Sequence, residues 1–188
     1  IANLGVREIP GQVVRDIPTL QGLPVQTTTP MFVEGYNSPG DGGGGYYYGV
    51  TGAPAGTYTD NGGTIIVPGD GSSAWLLDLV LLVSVKQFGA VGDGVTDSTT
   101  AFQNAIRWAQ LTGKRIFVPT GHYVSGPLVI GQPGHRYGVE IVGESWNGDL
   151  LQNDFGSVVI TLKGGSDDSL FTVLENCPPV RFETLRLR

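Results

Sequence analysis

The chain has 188 residues, and 40% of them are hydrophobic, which is enough for a core in one domain or two small ones and argues against wholesale disorder. Glycine occurs 30 times and proline 12 times, favouring tight turns over helical bundles. A net charge of -6 makes the chain a poor partner for nucleic-acid phosphates or anionic lipid, and the single cysteine, Cys177, excludes an intrachain disulfide and a cysteine-based zinc site.

Residues 1–30 carry prolines at 10, 18, 24 and 30 and scattered apolar residues: Val13, Val14, Ile17, Leu20, Leu23 and Val25. No period runs long enough for a strand or helix, so an extended arm without a core of its own is expected. Its Ile, Val and Leu side chains suit docking along a partner surface better than a solvated linker.

Residues 31–82 alternate short β-prone runs with glycine turns. Strands are expected from Met31 to Tyr36, at Tyr46–Tyr48, from Thr64 to Val67 and from Ala74 to Leu77, with turns at Asp41–Gly45, Asp60–Gly63 and Gly69–Gly71. This reads as a small meander that must pack on a neighbour or oligomerise to be stable. The most apolar run, Trp75 to Val85, includes Asp78 and is far shorter than the ~20 residues of a membrane-spanning helix. No signal-peptide pattern precedes it.

The stretch from Val83 to Gly113 organises the rest of the chain. Val83, Val85 and Phe88 alternate as in a strand; Gly89, Gly92 and Gly94 then mark a hard turn. Asp97 offers a cap to a helix of about 97–112, whose Phe102, Ala105, Ile106 and Ala109 share one face, with Trp108 at its edge and Gly113 as its stop. One helix among strands suits the covering of an exposed strand edge. Strands are then expected from Arg115 to Val118, His122 to Ile130, Tyr137 to Val142, Val158 to Leu162, Leu170 to Leu174 and Val180 to Leu187. Several lie about 20 residues apart, which suits a coil of parallel rungs; an antiparallel sandwich is the rival arrangement. The run Leu185–Arg188 alternates and stops without a cap, and the chain starts at Ile1, so it reads as a segment cut from a longer protein.

The residues that invite a chemical role have plainer uses. The run Gly40–Gly45 is followed by a tyrosine strand instead of a helix, and Gly89–Gly94, which does precede a helix, lacks the lysine of a phosphate-binding loop and carries Asp93 and Asp97, which would repel phosphate. Asp93 and Asp97 are too few oxygens for a calcium loop and suit turn formation and capping. The carboxylates weighed as catalytic candidates are Glu140, Glu144, Asp149, Asp154, Asp167 and Asp168, but none lies in a catalytic motif, and Asp167–Asp168 reads as a turn. His122 and His135 lack the spacing of metal ligands, and Cys177 reads as a buried structural thiol. Tyr46–Tyr48 and Trp146 offer rings for sugar stacking, with packing the preferred use of the tyrosines. No catalytic, cofactor-binding or metal residue is therefore assigned, and no cofactor is expected.

The residues Gly89, Ala90, Gly92, Asp93, Gly94 and Asp97, followed by Pro119, Gly121 and Tyr123, resemble the opening of the pectate-lyase-like right-handed β-helix family. The stretch from Gly35 to Leu79 resembles the small β unit that precedes this helix in bacteriophage tailspikes. The resemblance implies a mainly β chain: a docking arm (1–30), a small β anchor or neck unit (31–82), and the capping helix with the first rungs of a right-handed parallel β-helix (83–188). It implies the attachment region of a homotrimeric phage tailspike or tail fibre on the virion, assembled in the host cytoplasm. Residues 1–82 would meet tail or baseplate proteins, and a downstream part would bind, and often cleave, host surface polysaccharide. The alternative is a free polysaccharide lyase or glycoside hydrolase of the same family. Neither nucleic-acid binding nor membrane insertion is expected, and no catalytic site is expected in this segment.

Overall fold

A computed structural model describes residues 12–78, 82–131, 134, 136–144, 158–163, 169–175 and 177–187. The first part is a sheet of five strands: β1 (Gln12–Val14), β2 (Met31–Val33), β3 (Gly45–Val50), β4 (Ile65–Ile66) and β5 (Ala74–Leu77). Their order is β1-β2-β3-β5-β4, so this unit is not the simple meander expected from the turns. β5 pairs four residues with the longer β3, from Tyr47 opposite Leu77 to Val50 opposite Ala74. β4 has only two residues to offer, so the longer ladder takes the centre and the short strand the edge.

The arm expected over residues 1–30 also needs correction. Residues 1–11 lie outside the described residues, but residues 12–30 fold onto the sheet of their own chain. β1 pairs in parallel with β2. A five-residue helix, α1 (Ile17–Gln21), comes next, and Ile17 and Leu20 join Val14, Met31, Val33, Tyr47, Ile66 and Trp75 in one core. Its local signals are Asp16, whose carboxylate accepts the Thr19 N–H at 2.9 Å, Pro18 in the first turn and Gly22 after the end. Five residues are too few to show a period, which is why the apolar residues read as scattered.

The second part is a coil. Successive turns contribute β6 (Leu82–Ser84), β7 (Asp93–Asp97) and helix α2 (Thr99–Thr112); then β8 (Arg115–Val118), β9 (Gly121–Ser125) and β10 (Leu128–Ile130). The next turns give β11 (Val139–Gly143), β12 (Val158–Leu162) and β13 (Phe171–Val173), then β14 (Val180–Glu183) and β15 (Arg186–Leu187). They stack into three sheets, β6-β8-β11-β14, β7-β9-β12-β15 and β10-β13, in which every pairing is parallel. Parallel ladders exclude the antiparallel sandwich. Like residues stack rung on rung: Val83 on Ile116 on Ile141, and Tyr123 on Ile160.

Several expected spans are redrawn. The run Val83–Phe88 is not one strand: Ser84 ends β6 and caps a 3-10 turn (Val85–Phe88) in a capping box with Gln87. The run His122–Ile130 splits at Gly126–Pro127, where the chain turns a corner from one sheet to the next. The spacing of about 20 residues mixed two faces of the coil, since Val139–Val142 and Val158–Leu162 belong to different sheets. Register instead places Ile116 beside Ile141 and Ile141 beside Phe182, so the coils are unequal in length.

α2 occupies the place of the third strand in the first coil. Phe102, Ala105, Ile106 and Ala109 are fully buried in the continuous core with Ile116, Val118, Tyr123, Leu128 and Ile130. The helix also ends the ladder of β10. Gln103 donates its side-chain N–H to the Val129 carbonyl at 2.8 Å and accepts the Val129 N–H at 2.9 Å. One amide side chain thus does for β10 what a neighbouring strand would do. No helix among the described residues is long and apolar enough to cross a membrane.

Candidate functional site

The most constructed region of the molecule is the junction where the small sheet meets the opening of the coil. Asp41 sets the first wall. Its carboxylate accepts the N–H groups of Tyr36 (2.9 Å), Asn37 (2.8 Å), Ser38 (3.1 Å) and Gly43 (2.8 Å), closing the loop before β3. Burial pushes this carboxyl up, but the hydrogen bonds from Gly43, Tyr36, Asn37 and Ser38 together bring it below its ordinary value. The glycines of this loop serve close approach, not phosphate: a Cβ at Gly43 would run into the Lys86 carbonyl, and one at Gly63 into the Phe88 ring.

Polar contacts tie the same surfaces together. Gln87, which completes the Ser84 capping box, also reaches the Gly44 carbonyl at 3.3 Å. Asn61 folds its amide over its own turn, accepting the N–H groups of Gly63, Thr64 and Ile65. The Tyr36 and Tyr47 hydroxyls donate to the Gly62 and Gly63 carbonyls, both at 2.9 Å. Burial raises both phenols above their ordinary range, so both stay protonated donors.

The two glycine motifs of the coil meet behind this junction. Gly92 and Gly121 lie back to back, since a Cβ on Gly92 would fall 3.2 Å from the Gly121 Cα and 2.9 Å from the Tyr123 ring. The Tyr123 hydroxyl closes its own turn on the Pro119 carbonyl at 2.9 Å, and its ring meets Phe102 edge-on at 5.6 Å. The spacing of Pro119, Gly121 and Tyr123 is therefore a packing device.

The singled-out polar residues fall into structural roles. Asp97 accepts the Thr99 N–H at 2.9 Å and lies 3.0 Å from Lys163 Nζ. Thr99 and Lys163 hold its carboxyl down at about 2. Ser98, not Asp97, is the residue at the helix boundary, and its buried hydroxyl is taken by Val91. Asp93 accepts from Thr96 and Val95 in a tight turn and is held at about 2 by them. Glu144 accepts the Thr120 N–H at 2.8 Å, which lowers its carboxyl, and Glu140 pairs with Arg115 at 2.8 Å. His122 is exposed on β9 with Nε2 2.8 Å from Thr161 Oγ1. Cys177 is half-buried against the coil core. Tyr47 is buried, whereas Tyr46 and Tyr48 stand exposed. Asp149, Asp154, Asp167, Asp168, His135 and Trp146 lie outside the described residues. Among the described residues, no three histidine, cysteine, aspartate or glutamate side chains gather to hold a metal.

An open groove of about 820 Å³ runs beside the junction, between the turn at 57–62, strands β4 and β5, and one side of α2. Ile65, Leu76, Trp108 and Leu111 form its apolar walls, with Arg107 and Asn104 on the helix side and Asp60 opposite. The sequence alone did not locate it, because its two walls come from units far apart in the chain. Asp60 is tied to the Gly62 and Val67 N–H groups. Among the described residues it is the one carboxylate lining the groove, so this cleft lacks the paired acids that glycoside hydrolysis uses.

Comparisons with known proteins fit this arrangement. The model of the phage tail protein small four-stranded β-sheet domain matches residues 13–79. The model of the pectate-lyase-like rhamnogalacturonase A/epimerase family matches residues 82–166. Among solved structures, Pantoea stewartii WceF is a glycan biofilm modifying enzyme with a bacteriophage tailspike-like parallel β-helix fold. It superposes with a TM-score of 0.71 at 23% identity, over 95% of this chain and 25% of its own. The tailspike gp49 of Acinetobacter baumannii bacteriophage Fri1, a capsular polysaccharide depolymerase, gives 0.67 at 21% identity, over 94% of this chain and 32% of its own. A stretch of 66 residues is 33% identical to the non-secreted LysM effector LysM19 of Penicillium expansum, covering 35% of this chain and 5% of that protein. The chain thus spans a third or less of each of these relatives. It joins a segment matched by the phage tail small β-sheet domain to one matched by the pectate-lyase-like family, and it shares the parallel β-helix fold of the tailspike structures on which it superposes.

Proposed function

We propose that this chain is the attachment region of a homotrimeric phage tailspike, fixing a polysaccharide-binding shaft to the virion tail. Residues 1–82 meet the tail or baseplate, and the coil begun at Leu82 leads into the part that engages host surface glycan. The observation that carries this reading is the junction itself. A phage-tail β unit is seated on the 3-10 turn and α2 by the close approaches of Gly43, Gly62, Gly63 and Gly89 and by the hydrogen bond from Gln87 to the Gly44 carbonyl, so the two move as one piece. Such a joint passes the orientation of the tail to the shaft. The depolymerase activity of gp49 supports a glycan-facing role for the intact spike.

WceF favours a second reading, because that protein is a glycan-modifying enzyme with the same fold. In that case the small unit is a domain of a free polysaccharide lyase or hydrolase. Purified chain separates the two. Attachment predicts a trimer that degrades no capsular polysaccharide and that blocks loading of the intact spike onto spike-less particles. A monomer that cleaves polysaccharide would defeat attachment.

A further inference from the structure

Among the described residues, nothing covers the outer face of the small sheet. Side chains alternate across a strand, so Val13, Phe32 and Tyr46, which lie opposite one another in register, point to the same side. Tyr48 lies beside Leu76, and Leu76 beside Ile65, on that same side. Val13 is 65% exposed, Tyr46 40% and Tyr48 43%. The opposite face of the sheet is already filled by α1 and by Leu23 and Val25. The outer face therefore carries an aromatic ridge at β1-β2-β3 and runs at its other edge into the open groove of Ile65, Leu76, Trp108 and Leu111, where Leu111 is 59% exposed.

We infer that the ridge of one copy of this chain seats in the groove of the next. Charge supports a second copy as the occupant. The ridge is flanked by the exposed carboxylates of Glu34 and Asp78, the latter 3.4 Å from the Tyr48 hydroxyl, while Arg15 beside them is paired with Asp16. The groove presents Arg107 on its helix wall, and its Asp60 carboxylate is held by its own turn. A contact between two different patches is heterologous and closes into a ring when each copy turns the next by the correct angle. The inference rests on the trimeric reading above and names its contact.

Two surface variants test it by mass in solution. Tyr46→Glu spoils the ridge and Leu111→Glu spoils the groove, and circular dichroism confirms that both fold. The unaltered chain is expected at three times 19.8 kDa, and each variant as a monomer. An equimolar mixture of the two variants should give only a dimer, because one intact ridge and one intact groove remain. As a second measurement, Tyr46→Cys and Leu111→Cys chains, each also Cys177→Ser, should cross-link when mixed and not when separate. A trimer that survives both substitutions leaves the attachment reading standing and overturns this contact. A monomeric unaltered chain overturns both. Loss of assembly in Tyr46→Glu but not in Leu111→Glu would mean a two-fold contact of ridge on ridge and would also overturn the inference.

Discussion

Replacing Gln103 by alanine should open the mouth of the coil. Its amide makes two hydrogen bonds to Val129, at 2.8 and 2.9 Å, and among the described residues nothing else pairs that edge of β10. Each such bond contributes about 1 kcal/mol net, and each backbone group left unpaired costs about 1–3 kcal/mol when fully buried. Gln103 and Val129 are only half-buried, so water recovers part of the loss and the expected total is about 2 kcal/mol. For a chain of this size that lowers the melting temperature by about 4–8 °C. Hydrogen exchange supplies the specific readout: the Val129 amide should lose protection, while the amides of Ile141 and Ile160, deeper in the stack, should not. Gln103→Glu keeps an acceptor for the Val129 N–H but no donor for its carbonyl, so it should be destabilised at neutral pH and recover as pH falls and the new carboxyl protonates, completely below about pH 4.3. Unchanged Val129 exchange in Gln103→Ala would refute the view that this side chain stands in for a strand.

Leu20→Ala should cost about 2–5 kcal/mol in a urea melt, because Leu20 is fully buried; a negligible effect would mean that residues 12–30 do not share the core of the sheet. Gly63→Ala should cost about 1–3 kcal/mol, since its methyl group meets the Phe88 ring, and tryptophan fluorescence together with thermal melting would report it. Asp97→Ala should cost about 1 kcal/mol through loss of the bond from the Thr99 N–H, without making the melting temperature depend on calcium or chelator; a calcium effect lost in the variant would overturn this hydrogen-bonding role. The Asp93 and Asp97 carboxyls sit at about 2, below the unfolded value near 3.9. Their stabilisation is therefore complete above about pH 5 and falls away as pH drops through about 4 towards 2, and Asp97→Asn should flatten that part of the stability curve.

Local signals with a strong physical cause were legible in the residues alone. The apolar face of α2, its stop at Gly113, the strands of the coil and the residues that mark its first corner come from side-chain periodicity and from turns only glycine or proline permits. The same signals existed for α1, with Asp16, Pro18 and Gly22, and for the capping box of Ser84 and Gln87; both elements are too short for a period to reveal. Local turn roles for Asp93 and Asp97 were legible too, because Thr96 and Thr99 lie within three residues of them, whereas the helix boundary at Ser98 and the Lys163 partner of Asp97 were not.

What no local signal carries is which strand lies beside which. Parallel rungs pair residues a full coil apart, so the register of Ile116 with Ile141 and of Ile141 with Phe182 depends on packing around the whole circumference. The same holds for β5, which enters the centre of the small sheet because its ladder with β3 is longer than that of β4. It holds for the groove between β4, β5 and α2, and for the fit of Gly43 and Gly63 against Lys86 and Phe88. Composition and spacing determined that the chain would be turns, strands and one long helix. Only the folded structure, where distant backbones must close on each other without Cβ atoms in the way, decided that the small sheet keeps residues 12–30 for its own core and leaves its other face open.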